Sequence, residues 1–201
     1  MGNIYLSGAW ALEAFQRGGV DVETLALSMP EEFHALLYQT DSITPEAADR
    51  LLQRCAELSH NPHFGLSMNE YVDISMYGIF GYLLLNSHTV SDLFRYIDRY
   101  YEIFYATSAA FTIQTQEDPI ALRYHDSSLP GFCGSHLVEW SLGFVPTYLT
   151  SKIGNAGFPE KVQFMHSAPA NTDKLKSVFG PNLYFDQSEN LLSYPHSILK
   201  T

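Results

Sequence analysis

Cysteine is scarce in this chain, with Cys55 and Cys133 its only two. They are too few and too far apart for a metal ribbon or a disulfide framework, and use this sparing suits a reducing cytosol. Positive charge is scarce as well. Eleven Lys and Arg stand against 22 Asp and Glu, the net charge is −11, and no basic run occurs. A surface that neutralises phosphates needs clustered cations, so this chain alone is a poor nucleic-acid binder. The opening MGNIYLSGAW lacks a charged segment followed by an apolar run, and Leu6 stands where a myristoylation motif needs Ser or Thr. Also missing are Gly-x-Ser-x-Gly, a Walker loop, His-Glu-x-x-His and a dinucleotide fingerprint, and Ser, His and Asp are too scattered to nominate a triad. These absences lead to the expectation of a cytoplasmic protein that is not an enzyme and holds neither metal nor cofactor.

Long apolar runs are absent with one exception. From Phe132 to Ile153 the only formally charged residues are Glu139 and Lys152. A helix over this stretch would be about 30 Å long, enough to raise the question of a membrane span. Glu139, His136, Pro146 and several Ser and Thr interrupt it, and no Lys/Arg cluster flanks it. It reads as a buried helix, kinked or broken near Pro146, where the ring removes a donor and clashes with the preceding turn. His136 and Glu139, three residues apart, and the neighbouring Trp140 are candidates for one cavity wall. A pair of ligating residues is too small a set for a metal, and a core His and Glu satisfied by backbone or by each other is the competing interpretation.

The rest of the chain divides at about residue 105. Ala9–Arg17 reads as a helix stopped by Gly18-Gly19, and Asp21 caps a second containing Leu25. Thr44-Pro45-Glu46 is a helix start, with a capping hydroxyl, Pro at the first helical position and an acid at the positive dipole end. Ala48, Leu51, Leu52, Cys55 and Leu58 form its stripe, and His60-Asn61-Pro62 ends it. Tyr77–Asn86 is apolar on all sides, with Gly78 and Gly81 suggesting a tight crossing. Ser91–Tyr105 is amphipathic, its wide Tyr-rich face opposite Asp92, Arg95, Asp98, Arg99 and Glu102. The period then changes to two. Phe111–Gln116 and Ile120–His125 read as a hairpin; Lys161–His166, Leu183–Phe185 and Leu191–Tyr194 read as strands around a helix at Thr172–Phe179. The predicted class is α+β in a single domain, 1–201: a helical part (1–105), then ββαβαββ over 106–201, a mixed or antiparallel sheet packed on the long buried helix.

Further candidates follow from chemistry. Arg123, mid-strand beside His125, grips a carboxylate or phosphate if it points inward and is a solvated charge if it points outward. Tyr77, Tyr96 and Tyr100 line a cavity or simply fill core. His166 closes the strand that follows the buried helix. Cys133 is either an activated thiol or a small buried residue.

Several stretches together resemble the N-terminal effector-binding (arabinose-binding-like) domain of AraC-type transcription regulators. They are Phe158-Pro159-Glu160-Lys161-Val162-Gln163-Phe164-Met165-His166, Ala168-Pro169, Val178-Phe179-Gly180-Pro181, Phe185 and Asn190-Leu191-Leu192. Gly18, Val20, Asp21 and Leu25, then Gly78–Tyr82, Asn86–Val90, Leu93 and Tyr100 are similar in the first half. The resemblance implies a sensor of a small apolar or amphipathic effector, acting as a homodimer and reaching DNA through a C-terminal helix-turn-helix domain absent from this chain. A looser similarity in element order to haem nitric-oxide sensors lacks the required Arg after the hairpin, where Tyr124-His125-Asp126-Ser127-Ser128 stands. Pure dimerisation without a ligand is the alternative function, with an uncharacterised enzyme a third.

Overall fold

Capping chemistry sets where the helices begin. In the structure, a computed structural model describing residues 8–38, 43–105, 109–126, 131–132 and 134–201, α1 (Gly8–Arg17) ends at Gly18-Gly19, and Gly19 has φ +82°. The Asp21 carboxylate accepts from Glu23 N at 3.1 Å to start α2 (Val22–Ser28), and α3 (Pro30–Tyr38) follows. Thr44 Oγ1 accepts from Ala47 N at 3.3 Å to start α4 (Pro45–Leu58), whose Ala48, Leu51, Leu52 and Cys55 are fully buried. Helix α5 (Phe64–Tyr71), which the sequence pattern did not single out, precedes a short 3-10 turn (Ile74–Tyr77) and α6 (Gly78–Leu85). Thr89 Oγ1 then caps α7 (Val90–Tyr105) through Asp92 N at 3.1 Å.

The second half has the predicted order: β1 (Ala109–Gln114), β2 (Ile120–Asp126), α8 (Ser135–Ile153), β3 (Lys161–Gln163), α9 (Asp173–Phe179), β4 (Leu183–Tyr184) and β5 (Asn190–Tyr194). The sheet is mixed, ordered β1-β2-β5-β3-β4; β3 and β4 are parallel and the other pairs antiparallel. The α+β class with a helical first half is therefore what the chain adopts.

Helix α8 divides two apolar cores. At about 100° per residue, Val138, Leu142, Val145 and Leu149 share one side, and Leu137 and Trp140 another. The first set packs under the sheet with Leu122, Leu192, Tyr194, Phe94 and Phe164; the second joins Phe15, Leu25, Leu51, Phe64 and Met68 among the N-terminal helices. Each fully buried Leu or Val contributes on the order of 1.5–3 kcal/mol, so α8 is anchored from both sides. Of the kink or break expected near Pro146, the break does not occur: the helix runs through Pro146, and the single missing hydrogen bond is outweighed. No helix among the described residues is long and apolar enough to cross a membrane.

Two further expectations need amending. Strand β3 stops at Gln163, so His166 lies in the segment after the strand. Helix α6 is not buried all round, because Ile79 is 70% exposed and Tyr82 62% exposed. Gly78 sits at φ +59° with open space around it, serving the turn into α6. The close helix crossing belongs to α5 and α8 instead. A Cβ on Gly65 would lie 2.1 Å from the His136 carbonyl oxygen, and one on Gly143 would lie 2.7 Å from Asn69 Nδ2 and Leu66 Cδ1.

Candidate functional site

Between the two apolar sides of α8 lies a polar seam. Glu139 and His136 fall in the wider arc separating the Val138/Leu142 side from the Leu137/Trp140 side, so neither core can absorb them. Glu139 is only 3% exposed. An unaccompanied carboxylate there would cost several kcal/mol in desolvation. Two imidazoles from distant parts of the chain accompany it. His63 Nδ1, at the entry to α5, lies 3.7 Å from Glu139 Oε2, and His166 Nε2, after β3, lies 3.6 Å from Oε1. The cluster thus joins the helical half, α8 and the sheet half at one point.

Its protons are constrained. His63 Nε2 is 3.0 Å from the Asn171 carbonyl, and His166 Nδ1 is 3.0 Å from the Ser167 carbonyl. A carbonyl oxygen only accepts, so each of these nitrogens carries the hydrogen. The other nitrogen of each ring then faces the carboxylate, and in a neutral imidazole it would present a lone pair to an anion. For His63, a proton on the nitrogen that faces Glu139 turns this approach into an attraction. In accord with this, the Glu139 carboxylate holds the His63 pKa above its ordinary value, against burial and the nearby Lys174. Lys174 of α9 pairs at the surface with Glu70 of α5.

A second buried layer adjoins. His136 Nδ1 accepts from Gly65 N at 3.4 Å, and Asp49 of α4 accepts from Leu137 N at 2.8 Å, capping α8. Burial lowers the His136 pKa, opposed by Asp49 and Glu139, and burial raises that of Asp49, opposed by the Leu137 amide. Asn69 donates through Nδ2 to the Leu66 and Trp140 carbonyls, at 3.2 and 3.1 Å. Its buried Oδ1 has no hydrogen-bond partner among the described residues, nor does His166 Nε2. Such unsatisfied buried atoms cost about 1–3 kcal/mol each and call for an explanation. No group of three His, Cys, Asp or Glu among the described residues is arranged to hold a metal ion.

Of the residues the sequence nominated, Glu139, His136 and His166 come together here. Trp140 lies in the helical core on the next face of α8. Tyr96 and Tyr100 sit elsewhere, partly buried against the sheet-side core, with Arg95 and Arg99 over their rings at 5.3 and 5.6 Å. The side chain of Tyr77 and the whole of Cys133 lie outside the described residues. Arg123 and His125 alternate with the buried Ile120, Leu122 and Tyr124, so they point to the sheet face away from α8. His125 is exposed beside Thr112, and Arg123 donates to Glu189 Oε2 at 2.9 Å and to Gln114. Sequence reasoning missed His63, Asp49 and Asn69. The one local signal was the placement of His63 directly after the Asn61-Pro62 helix stop.

Comparison with known proteins places this geometry. Residues 32–201 match the family described as the arabinose-binding domain of AraC transcription regulator, N-terminal. Among solved structures, the crystal structure of the transcriptional regulator CdpR from Pseudomonas aeruginosa is similar, with a TM-score of 0.57 at 14% identity over 89% of this chain. The chain spans 54% of that regulator's length, and the likeness is one of fold. No curated protein matches.

Proposed function

The chain belongs to the family of arabinose-binding domains at the N-terminus of AraC transcription regulators, and on that premise we propose that it senses a small effector for a regulator whose DNA-binding part lies elsewhere. The effector is apolar or amphipathic and binds where the helical half meets the sheet half. The observation that carries this reading is Glu139, a buried acid that meets two imidazoles at 3.6 and 3.7 Å, beside His166 Nε2 and Asn69 Oδ1, which have no hydrogen-bond partner among the described residues. A ligand with a hydroxyl or amine supplies a further donor to the carboxylate, while its apolar body lies against the neighbouring core residues. Because the cluster is shared by α5, α8 and the segment after β3, a ligand there changes how the two halves sit on α8. A DNA-binding partner domain can read that change. The same reading makes the domain cytoplasmic and non-catalytic.

A thermal-shift screen of long-chain amines, alcohols, fatty acids, sugars and amino acids on this chain tests it. The expected result is stabilisation by an amphipathic donor, lost in Glu139→Leu. If an intact regulator carrying Glu139→Leu responds normally to its inducing condition, the reading fails.

One observation favours self-association as an accompanying role. Ile79, Tyr82 and Leu85 form an exposed apolar row along α6, a surface suited to a second copy across a twofold axis. Sedimentation of the wild type as a strict monomer at high concentration contradicts this, whereas a dimer broken by Ile79→Lys supports it.

A further inference from the structure

The sheet face away from α8 carries its own site. Register places two rows of side chains side by side there: Gln114, Ala121, Ser193 and Lys161 in one, Thr112, Arg123, Leu191 and Gln163 in the next. Ala121, Ser193 and Leu191 are 6, 4 and 5% exposed although they face outward, because the longer side chains around them form walls. The result is a groove of about 450 Å³ with a floor of small and apolar residues. Its walls are charged in a particular order. Glu117 and Asp118 stand at the hairpin end, Arg123 and Lys161 on opposite sides, and Glu189 beyond Arg123.

Both cations retain binding capacity. Of the five N–H donors of a guanidinium, Arg123 uses one at Nε on Glu189 and one at Nη1 on Gln114, which leaves three. Lys161 has no side-chain hydrogen bond or ion pair among the described residues, and its strand neighbours are Ser193 on β5 and the groove floor. From Pro119 to Arg123 is about 13 Å along the strand. Lys161 stands in the Ala121 row, about 7 Å from Pro119 in the strand direction, so the acids and the two cations are separated by about two to four residues of strand. An ammonium and a carboxylate on adjacent carbons do not span that gap; a molecule with several methylenes between them does, and its methylenes lie over Leu191 and Ala121.

We propose that this groove binds a small zwitterion with separated charges, an ω-amino acid or a short peptide, its ammonium at Glu117 and Asp118 and its carboxylate at Arg123 and Lys161. The site is distinct from the Glu139 cluster, on the opposite side of the sheet, and it does not depend on that cluster being an effector site.

Calorimetric titration of the chain with glycine, 4-aminobutanoate and 6-aminohexanoate, and with hexanoate and hexylamine as one-headed controls, tests it. The expected order is 6-aminohexanoate tightest, each control about tenfold weaker or more, as expected for loss of a charged hydrogen-bonding group. Arg123→Met and Lys161→Met should each weaken 6-aminohexanoate by a similar factor, while Arg95→Met on α7, outside the groove, leaves it unchanged. The proposal is overturned if no member binds at millimolar concentration. It is equally overturned if hexanoate matches 6-aminohexanoate, if hexylamine matches it in a Glu139→Leu background, or if both cation variants bind it like the wild type. Loss of binding in Glu139→Gln with both cation variants unaffected would place the zwitterion at the internal cluster and refute the groove.

Discussion

Replacing Glu139 by Gln changes one oxygen for an NH2 group at nearly constant volume, and its effect on stability should depend on pH. In the wild type the carboxylate raises the His63 pKa. A raised folded-state value means that the His63 contribution is fully present below the unfolded value of about 6.5 and is lost as pH rises through the folded value. Each unit of the shift is worth about 1.4 kcal/mol. At pH 6 the variant lacks the imidazolium–carboxylate contact, and a cost of about 1–3 kcal/mol is expected for a buried charge-assisted pair. Above the folded pKa the neutral His63 presents a lone pair to the carboxylate, whereas the Gln amide can donate to it. The stability gap between wild type and variant should therefore close or reverse as pH rises toward 8.5. Urea denaturation at half-unit steps from pH 5.5 measures it, and an NMR titration of the imidazole rings separates His63 from His136. His136 works in the opposite sense: its lowered pKa gives stability that is full above about 6.5 and lost as pH falls through the folded value. Asp49, with a raised pKa, contributes below about 3.8 and loses that contribution as pH rises through its folded value. A gap that stays constant over the whole range, with the His63 titration unmoved by the substitution, would refute the pairing of His63 with the Glu139 carboxylate.

Other consequences follow from packing. Gly65→Ala should destabilise the domain by about 2–3 kcal/mol in urea unfolding, because the new Cβ meets the His136 carbonyl of α8. Gly143→Ala should cost less, since its Cβ meets the ends of the Asn69 and Leu66 side chains, which can turn aside. Thr44→Ala should cost about 1 kcal/mol through loss of the α4 cap, and Thr44→Ser should restore it. Cys55 is fully buried and burial pushes its thiol pKa far up. In a Cys133→Ser background it should resist a thiol reagent in native buffer and react at the rate of unfolding.

Where structure was written locally, the sequence was readable. Thr44-Pro45 and Asp21 act through bonds two or three residues away, and each capped the helix expected of it. The hairpin and the order ββαβαββ were legible for the same reason, since period and turn chemistry are local signals. Pro146 does not end α8, because burial on two sides, which only the tertiary structure supplies, outweighs a local helix breaker. Helix α5 escaped notice because it is short and its partner, α8, lies about seventy residues away in the chain. Half of the polar cluster could be nominated from the i, i+3 spacing of His136 and Glu139. His63 and Asp49 could not, because their only connection to α8 is through space. The inward or outward choice for Arg123 was decidable in principle: Ile120, Leu122 and Tyr124 form the apolar row of β2, and Arg123 belongs to the other parity.

The central claim, an effector read at Glu139 where the two halves meet, is tested most directly by ring-nitrogen NMR of the histidines during titration with a compound that stabilises the wild type. The account predicts that the His63 and His166 signals shift in step with the rise in melting temperature, and that Glu139→Gln abolishes both. A compound that stabilises wild type and variant equally, with the His63 and His166 signals unmoved, would contradict it.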